Sequence, residues 1–213
     1  VTFNDLNLNT PLYNALDDLG FDTPTPIQAQ SFNVVASGKD VVGIAQTGTG
    51  KTLAYMLPIL RNLKYSTQDN PRVLVLVPTR ELVVQVVSEI EKFSKYINNR
   101  VLGVYGGTNI NTQKQAVAQG QDIIVATPGR LYDLAELFPN QACVIHSNKT
   151  QNYRLRSIEQ FREGEHRLLV ATDVMARGLD IDDITHVINF DTTDYPENYM
   201  HRIGRTGRAE KEG

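Results

Sequence analysis

The stretch Ile44–Thr52, IAQTGTGKT, carries two glycines, a lysine and three threonines within nine residues. Gly48 and Gly50 let the backbone wrap so that the N–H groups from Thr47 through Thr49 to Thr52 face a bound anion. Lys51 adds a point charge suited to β- and γ-phosphates, and Thr52 offers its hydroxyl to Mg²⁺. The pattern reads Ala-x-x-x-x-Gly-Lys-Thr, with Ala45 where such loops usually have a first glycine. An apolar run precedes it and a helical run, TLAYMLPIL, follows it. A triphosphate-holding loop requires that context, whereas a glycine-rich turn with a solvated lysine does not.

Other stretches offer complementary chemistry. In GFDTPTPIQ (20–28), Phe21 can stack on a purine, and the Gln28 amide can pair a donor and an acceptor with adenine. The same two residues also suit a core position and a helix cap. In HRIGRTGR (201–208), Arg202, Arg205 and Arg208 recur every third residue among glycines. Arginines so placed stabilise charge on a transferring phosphoryl group, or form a solvated basic tail. PTREL (78–82), GG (106–107) and TPGR (127–130) follow strand-like runs, where parallel sheets bind ligands. Their backbone N–H groups, threonines and arginines suit phosphate oxygens and a sequence-independent grip on nucleic acid. Arg80 and Arg130 read equally well as exposed, ion-paired arginines.

The elements that must position these residues are legible as periodicity. Continuous apolar runs at 40–45, 72–78, 100–106, 122–128, 142–147, 167–173 and 186–191 predict seven strands buried on both faces of a parallel sheet. Helices are expected between most of them. Thr10 and Pro11 form a cap and first turn, Leu12, Ala15, Leu16 and Leu19 one face, and Gly20 a stop. Thr25 and Pro26 open a second helix. RELVVQVVSEIEKF (80–93) and NYRLRSIEQF (152–161) carry apolar stripes at helical spacing. The alternation predicts an α/β fold, a parallel sheet flanked by helices.

Composition sets bounds. Of 213 residues, 41% are hydrophobic and 21% charged, which fits a globular chain with a core. The net charge of -3 argues weakly against a nucleic-acid partner unless the basic residues cluster. Cys143, the one cysteine, lies in QACVIH and reads as an inert core thiol, in keeping with a reducing, cytoplasmic setting. No apolar run approaches a membrane span, and VTFNDLNLNT does not read as a signal peptide. His146, His166 and His186 have no metal-ligand spacing.

Taken in order, these stretches resemble the DEAD-box family of ATP-dependent RNA helicases. Phe3 and GFDTPTPIQ look like its adenine-sensing Q motif, and AQTGTGKT looks like motif I. PTREL, GG and TPGR look like the RNA-gripping segments of a first RecA-like domain. SNKTQNYR (147–154), ATDVMARGLD (171–180) and HRIGRTGR look like motifs of a second. The resemblance implies ATP and Mg²⁺ as cofactors and single-stranded or locally unwound RNA as partner. It implies RNA contacts at Arg80, Gly106, Gly107, Thr127, Gly129, Arg130, Gln151, Arg154, Thr172 and Gly178. It places Asp180 near the ribose, gives Arg205 and Arg208 the finger role, and has His201 couple the two ligands. The corresponding division is residues 1–134 and 135–213, either as two parts or packed as one domain.

The resemblance breaks in the middle. No Asp-Glu dipeptide occurs, so Asp-Glu-Ala-Asp is absent, and so is Ser-Ala-Thr. TPGRLYDL, a first-domain segment, runs directly into AELFPNQACVIHSNKTQNYR, a second-domain segment. A deletion or spliced form, an engineered fusion, or joined segments of a longer protein would each read this way. The missing acids would hold Mg²⁺ and orient the attacking water, so hydrolysis is expected to fall by several powers of ten. Asp191, closing HVINFD, is a conceivable substitute but reads better as a turn cap, and Asp173 stands likewise. Either one hybrid sheet forms, with GRLYDLAELF as a right-handed crossover, or two incomplete lobes leave open edges that favour a swapped dimer. The expected function is ATP and RNA binding with impaired hydrolysis. The alternatives are a non-catalytic RNA- or partner-binding decoy and a hybrid fold without ligands.

Overall fold

The computed structural model describes residues 1–136, 142–145, 149–166, 168–172, 181, 184–189, 193 and 195–206. Two compact units divide the chain, Val1–Thr127 and Pro128–Gly213.

In the first unit, β1 (Val73–Leu76), β2 (Val101–Val104) and β3 (Ile123–Ala126) form a parallel sheet in the order β1-β3-β2. Val73 and Val101 both align with Ile123, and Leu76 and Val104 both align with Ala126. The central strand, IIVA, is buried at every residue, as its uniformly apolar sequence requires. Helices α1 (Thr10–Asp18), α2 (Pro26–Ala36), α3 (Lys51–Asn62), α4 (Arg80–Phe93) and α5 (Ile110–Ala118) complete the unit. Leu12 and Leu16 of α1, Phe32 of α2, Met56, Leu57 and Leu60 of α3, and Val83, Val86 and Ile90 of α4 share one core with Ile123 and Val125.

Asp122, just before β3, pins the lower end of this sheet. Its carboxylate lies 2.7 Å from Arg72 Nη2 and 3.1 Å from Arg100 Nε, and it accepts the Arg100 backbone N–H at 2.9 Å. Arg72 immediately precedes β1 and Arg100 precedes β2. Burial pushes the Asp122 carboxyl up, but the hydrogen bonds from Arg100 and Arg72 outweigh it and hold the pKa at about 2.

In the second unit, β4 (Ala142–Ile145) and β5 (Leu168–Ala171) pair in parallel, with Ala142 opposite Leu168. Helices α6 (Pro128–Glu136) and α7 (Gln151–Arg162) pack on β4. α8 spans Pro196–Ile203.

Several expectations need correction. Residues 40–45 are not a strand: they pair with no described strand, and Val42 and Ile44 are each 91% exposed. Residues 186–189 are likewise not in a sheet, and Ile188 is exposed. An apolar run records a capacity for β structure, whereas a strand exists only where an edge receives it. Consequently no single seven-strand sheet forms: the described strands divide three and two. Since β3 and β4 belong to different sheets, α6 is not a crossover within one. The cap of α1 is Asn9, one residue earlier than expected, accepting Leu12 N–H at 3.2 Å. Helices α5 and α8 were not foreseen.

Candidate nucleotide and RNA site

The loop before α3 adopts the conformation its glycines permit. Gly48 has φ +79° and Gly50 φ +77°, both left-handed, and Gly50 is the N-cap of α3. The N-terminal N–H groups of this helix and the turn before it therefore converge on one spot, which favours an anion. Two residues of the α2 start brace the loop from behind. The Thr25 hydroxyl donates to Thr49 O at 2.9 Å, and Gln28 Nε2 donates to Gly50 O at 3.1 Å. Gln28 Oε1 accepts from Thr25 N–H at 2.9 Å, which ties the two braces together. A Cβ on Gly50 would collide with the Gln28 amide. Within the loop, the Thr49 hydroxyl donates to Gln46 O at 2.7 Å.

Lys51 Nζ folds back on the loop, donating to Ala45 O at 2.6 Å and Gln46 O at 2.9 Å. The ammonium thus stays beside the turn whose amides would hold phosphate. Thr47 is exposed and Thr52 half-buried. Burial pushes the Tyr55 phenol up, and its hydrogen bond with the Thr52 side chain opposes that. Phe21 stands exposed just past α1, its N–H donating to Leu16 O at 2.9 Å. Phe3, by contrast, is a core residue, whose carbonyl accepts the Tyr13 hydroxyl at 3.0 Å.

The upper edge of the same sheet gathers the second group. Thr79 follows β1 and caps α4, accepting Leu82 N–H at 3.3 Å. Arg80, the first residue of α4, lies over the Tyr105 ring with its guanidinium carbon 5.1 Å from the centroid. Gly107, at φ +84°, passes so close that a Cβ there would sit 3.4 Å from Arg80 Nη1. Gly106 faces open space, and Thr127 N–H donates to Val104 O at 3.0 Å, just above β3. Arg80, Gly106, Gly107 and Thr127 therefore share one edge. Sequence reasoning missed Tyr105, which orients Arg80, and Gln113, which donates to Tyr105 O at 3.1 Å and Thr108 Oγ1 at 2.7 Å. The aromatic residue directly before GG was the available signal for the first.

In the second unit, Gly129 and Arg130 occupy the first turn of α6, and Arg130 Nε lies 3.5 Å from Asp133 Oδ2. Gln151 and Arg154 lie in the first turn of α7, capped by the Thr150 hydroxyl, which accepts Tyr153 N–H at 3.3 Å. Thr172 follows β5 and is exposed. Arg205 is half-buried just past α8, where Arg202 Nη1 donates to Asn189 Oδ1 at 3.2 Å. Gly178, Asp180, Arg208, Asp173, Asp191 and His146 lie outside the described residues.

A parallel sheet with a Gly-Lys-Thr loop at a helix N-terminus defines a phosphate-loop protein of the RecA-like kind. The family described as DEAD/DEAH box helicase matches residues 25–161, and the helicase conserved C-terminal domain matches residues 118–210. DEAD-box ATP-dependent RNA helicase CshA of Bacillus subtilis (strain 168) is 31% identical, over all of this chain and 68% of its own length. CshA of Bacillus cereus (strain ATCC 10987 / NRS 248) is 30% identical over all of this chain and 64% of its own length. Among solved structures, a DEAD box protein from Methanococcus jannaschii covers 100% of this chain and 91% of its own, at TM-score 0.57 and 26% identity. A hypothetical ATP-dependent RNA helicase from Sulfolobus tokodaii covers 97% of this chain and 95% of its own, at TM-score 0.53 and 27% identity. The chain belongs to the DEAD-box helicase family, a family of ATP-dependent RNA helicases. Its alignment with the Bacillus subtilis relative runs over 338 positions, against 213 residues here, so 125 positions have no counterpart in this chain.

Proposed function

We propose that this chain binds ATP at Ala45–Thr52 and holds RNA by its backbone, with slow hydrolysis. The observation that carries this reading is the left-handed pair Gly48 and Gly50, braced by Thr25 and Gln28 at the N-terminus of α3. Lys51 would exchange the carbonyls of Ala45 and Gln46 for phosphate oxygens. Phe21 and Gln28 would read adenine, since the Gln28 amide retains one N–H and one lone pair beyond its present bonds. Asp180 would meet the ribose, and Arg205 and Arg208 the terminal phosphate.

Mg²⁺ fits the Thr52 hydroxyl as one oxygen of an octahedral set otherwise built from phosphate and water. When bound, the ion neutralises charge on the phosphates. The chain lacks the Asp-Glu pair that would anchor it and orient water. Positioning is most of this catalysis, so binding outlasts turnover.

RNA would lie along Arg80, Gly106, Gly107 and Thr127 in the first unit. In the second it would meet Gly129, Arg130, Gln151, Arg154, Thr172 and Gly178. Helix N-termini and exposed amides at strand ends favour phosphate over base edges, so little base preference is expected. No helix among the described residues is long and apolar enough to cross a membrane. A reducing intracellular compartment suits the single buried thiol.

A fluorescent ADP analogue titrated against the wild type and Lys51→Ala tests the site. Affinity lower by roughly tenfold or more in the variant is expected, since a charge-assisted contact is lost. Equal affinity removes the nucleotide claim. Phosphate release with and without RNA tests the rest: vigorous RNA-stimulated release contradicts slow hydrolysis. RNA retention indifferent to ATP favours a non-catalytic binder.

A further inference from the structure

The first unit carries both halves of a strand pair that it does not make. Val73 N–H donates to Asp122 O at 3.1 Å and Val77 N–H to Ala126 O at 3.0 Å, so the odd-numbered residues of β1 face β3. In a parallel ladder the residues between them turn their N–H and C=O groups to the opposite side. Leu74 and Leu76 therefore present backbone donors and acceptors on the outer edge of β1, where no described strand pairs. Leu74 is 45% exposed, and the strand VLVL holds none of the charges, prolines or bulges that usually blunt an edge.

Residues 40–45, DVVGIA, are the complementary piece. They are rich in β-branched residues, contain no proline, form no ladder with a described strand and expose Val41, Val42 and Ile44. We propose that two copies of this chain associate by reciprocal strand addition, residues 40–45 of each pairing in parallel beside β1 of the other. The chain is 125 positions shorter than its alignment with the Bacillus subtilis relative, and no described strand covers this edge. The two-fold exchange closes, because each copy gives one strand and receives one.

The register follows from the chain ends. In a parallel sheet all C-terminal ends lie at one edge, so Ala45, before the phosphate loop, aligns with Val77, before Pro78. Val42 then lies opposite Leu74, and Asp40 opposite Arg72. Asp40 is exposed, and Arg72 retains partial exposure beside Asp122, so the pairing adds an attraction of opposite charges at the lower end. This inference does not depend on nucleotide binding.

Light scattering across the micromolar range on the full chain is expected to give twice 23.8 kDa. Asp40→Lys, at an exposed position, is expected to raise the dimer dissociation constant about tenfold. Geometry is tested with Val42→Cys and Leu74→Cys, mixed and treated with a short bismaleimide. The mixture is expected to give a cross-linked dimer, while Leu74→Cys alone and the wild type, whose Cys143 is buried, give none. A monomer at every concentration overturns the proposal. So does a Leu74→Cys product formed without the Val42→Cys partner, which would mean β1 edges pairing with each other.

Discussion

The side-chain amide of Gln28 donates to the Gly50 carbonyl at 3.1 Å and accepts from the Thr25 N–H at 2.9 Å, joining the start of α2 to the loop before α3. Gln28 is 6% exposed, so these bonds are shielded from water. Gln28→Ala leaves the Thr25 N–H without its acceptor and the Gly50 carbonyl with only its bond from Ala54 N–H, at a cost of about 1–3 kcal/mol. A lower melting temperature and a nucleotide affinity weaker by roughly tenfold are expected, from calorimetry and analogue titration. Full stability and affinity in the variant would show that the brace is idle.

Arg80 leads α4 and lies over Tyr105 beside Gly107. An arginine held in this way meets phosphate without first being ordered. Arg80→Ala is expected to weaken RNA binding uniformly across sequences and to reduce the slope of log affinity against log salt by about 1. Fluorescence anisotropy over a salt series measures both. An unchanged slope would place Arg80 outside the RNA contact.

Asp122 makes an acid-sensitive joint. Its folded-state pKa of about 2 lies below the unfolded value of about 4. The stabilisation it contributes is therefore complete above about pH 4 and is lost as pH falls toward about 2. It amounts to about 2–3 kcal/mol. Denaturant melts between pH 6 and pH 2 are expected to show this loss in the wild type, and a flatter acid limb in a less stable Asp122→Asn variant. Parallel limbs would assign the loss to other carboxylates.

Cys143 is buried on β4, its single S–H within reach of two carbonyls, Ser157 O at 3.5 Å and Leu168 O at 3.7 Å from Sγ. Burial pushes its thiol up to about 11. At pH 8 about one molecule in a thousand carries thiolate, so a chromogenic disulfide reagent is expected to react only as the unit opens. Rapid labelling of the native chain would contradict the packing around β4.

Local chemistry was readable in the sequence, and pairing was not. Gly48, Gly50 and Lys51 act through adjacent backbone, and their spacing alone foretold the turn. The helices α1, α4 and α7 followed from apolar stripes, α2 from its Thr25–Pro26 start and α3 from the run after the phosphate loop, and the three strands of the first sheet from short apolar runs. Residues 40–45, DVVGIA, share with β3 a run of β-branched residues but lie in no described ladder. α5 escaped notice because INTQKQAVA has no apolar face, and its one buried side chain is the polar Gln113. α8 was hidden behind DTTDYPEN, which reads as a turn. The Thr25–Thr49 and Arg80–Tyr105 contacts join distant segments, and nothing in either segment names the other.

The carboxylate of Asp122 has a consequence at the opposite end of the sheet. It ties the residues leading into β1 and β2 to the base of β3, and each of the three strands then runs for four residues. Strands that set out level arrive level. Val77, Tyr105 and Thr127 thus emerge at a common height, and a single ionised group a full strand length away planes the platform on which a polyanion can rest.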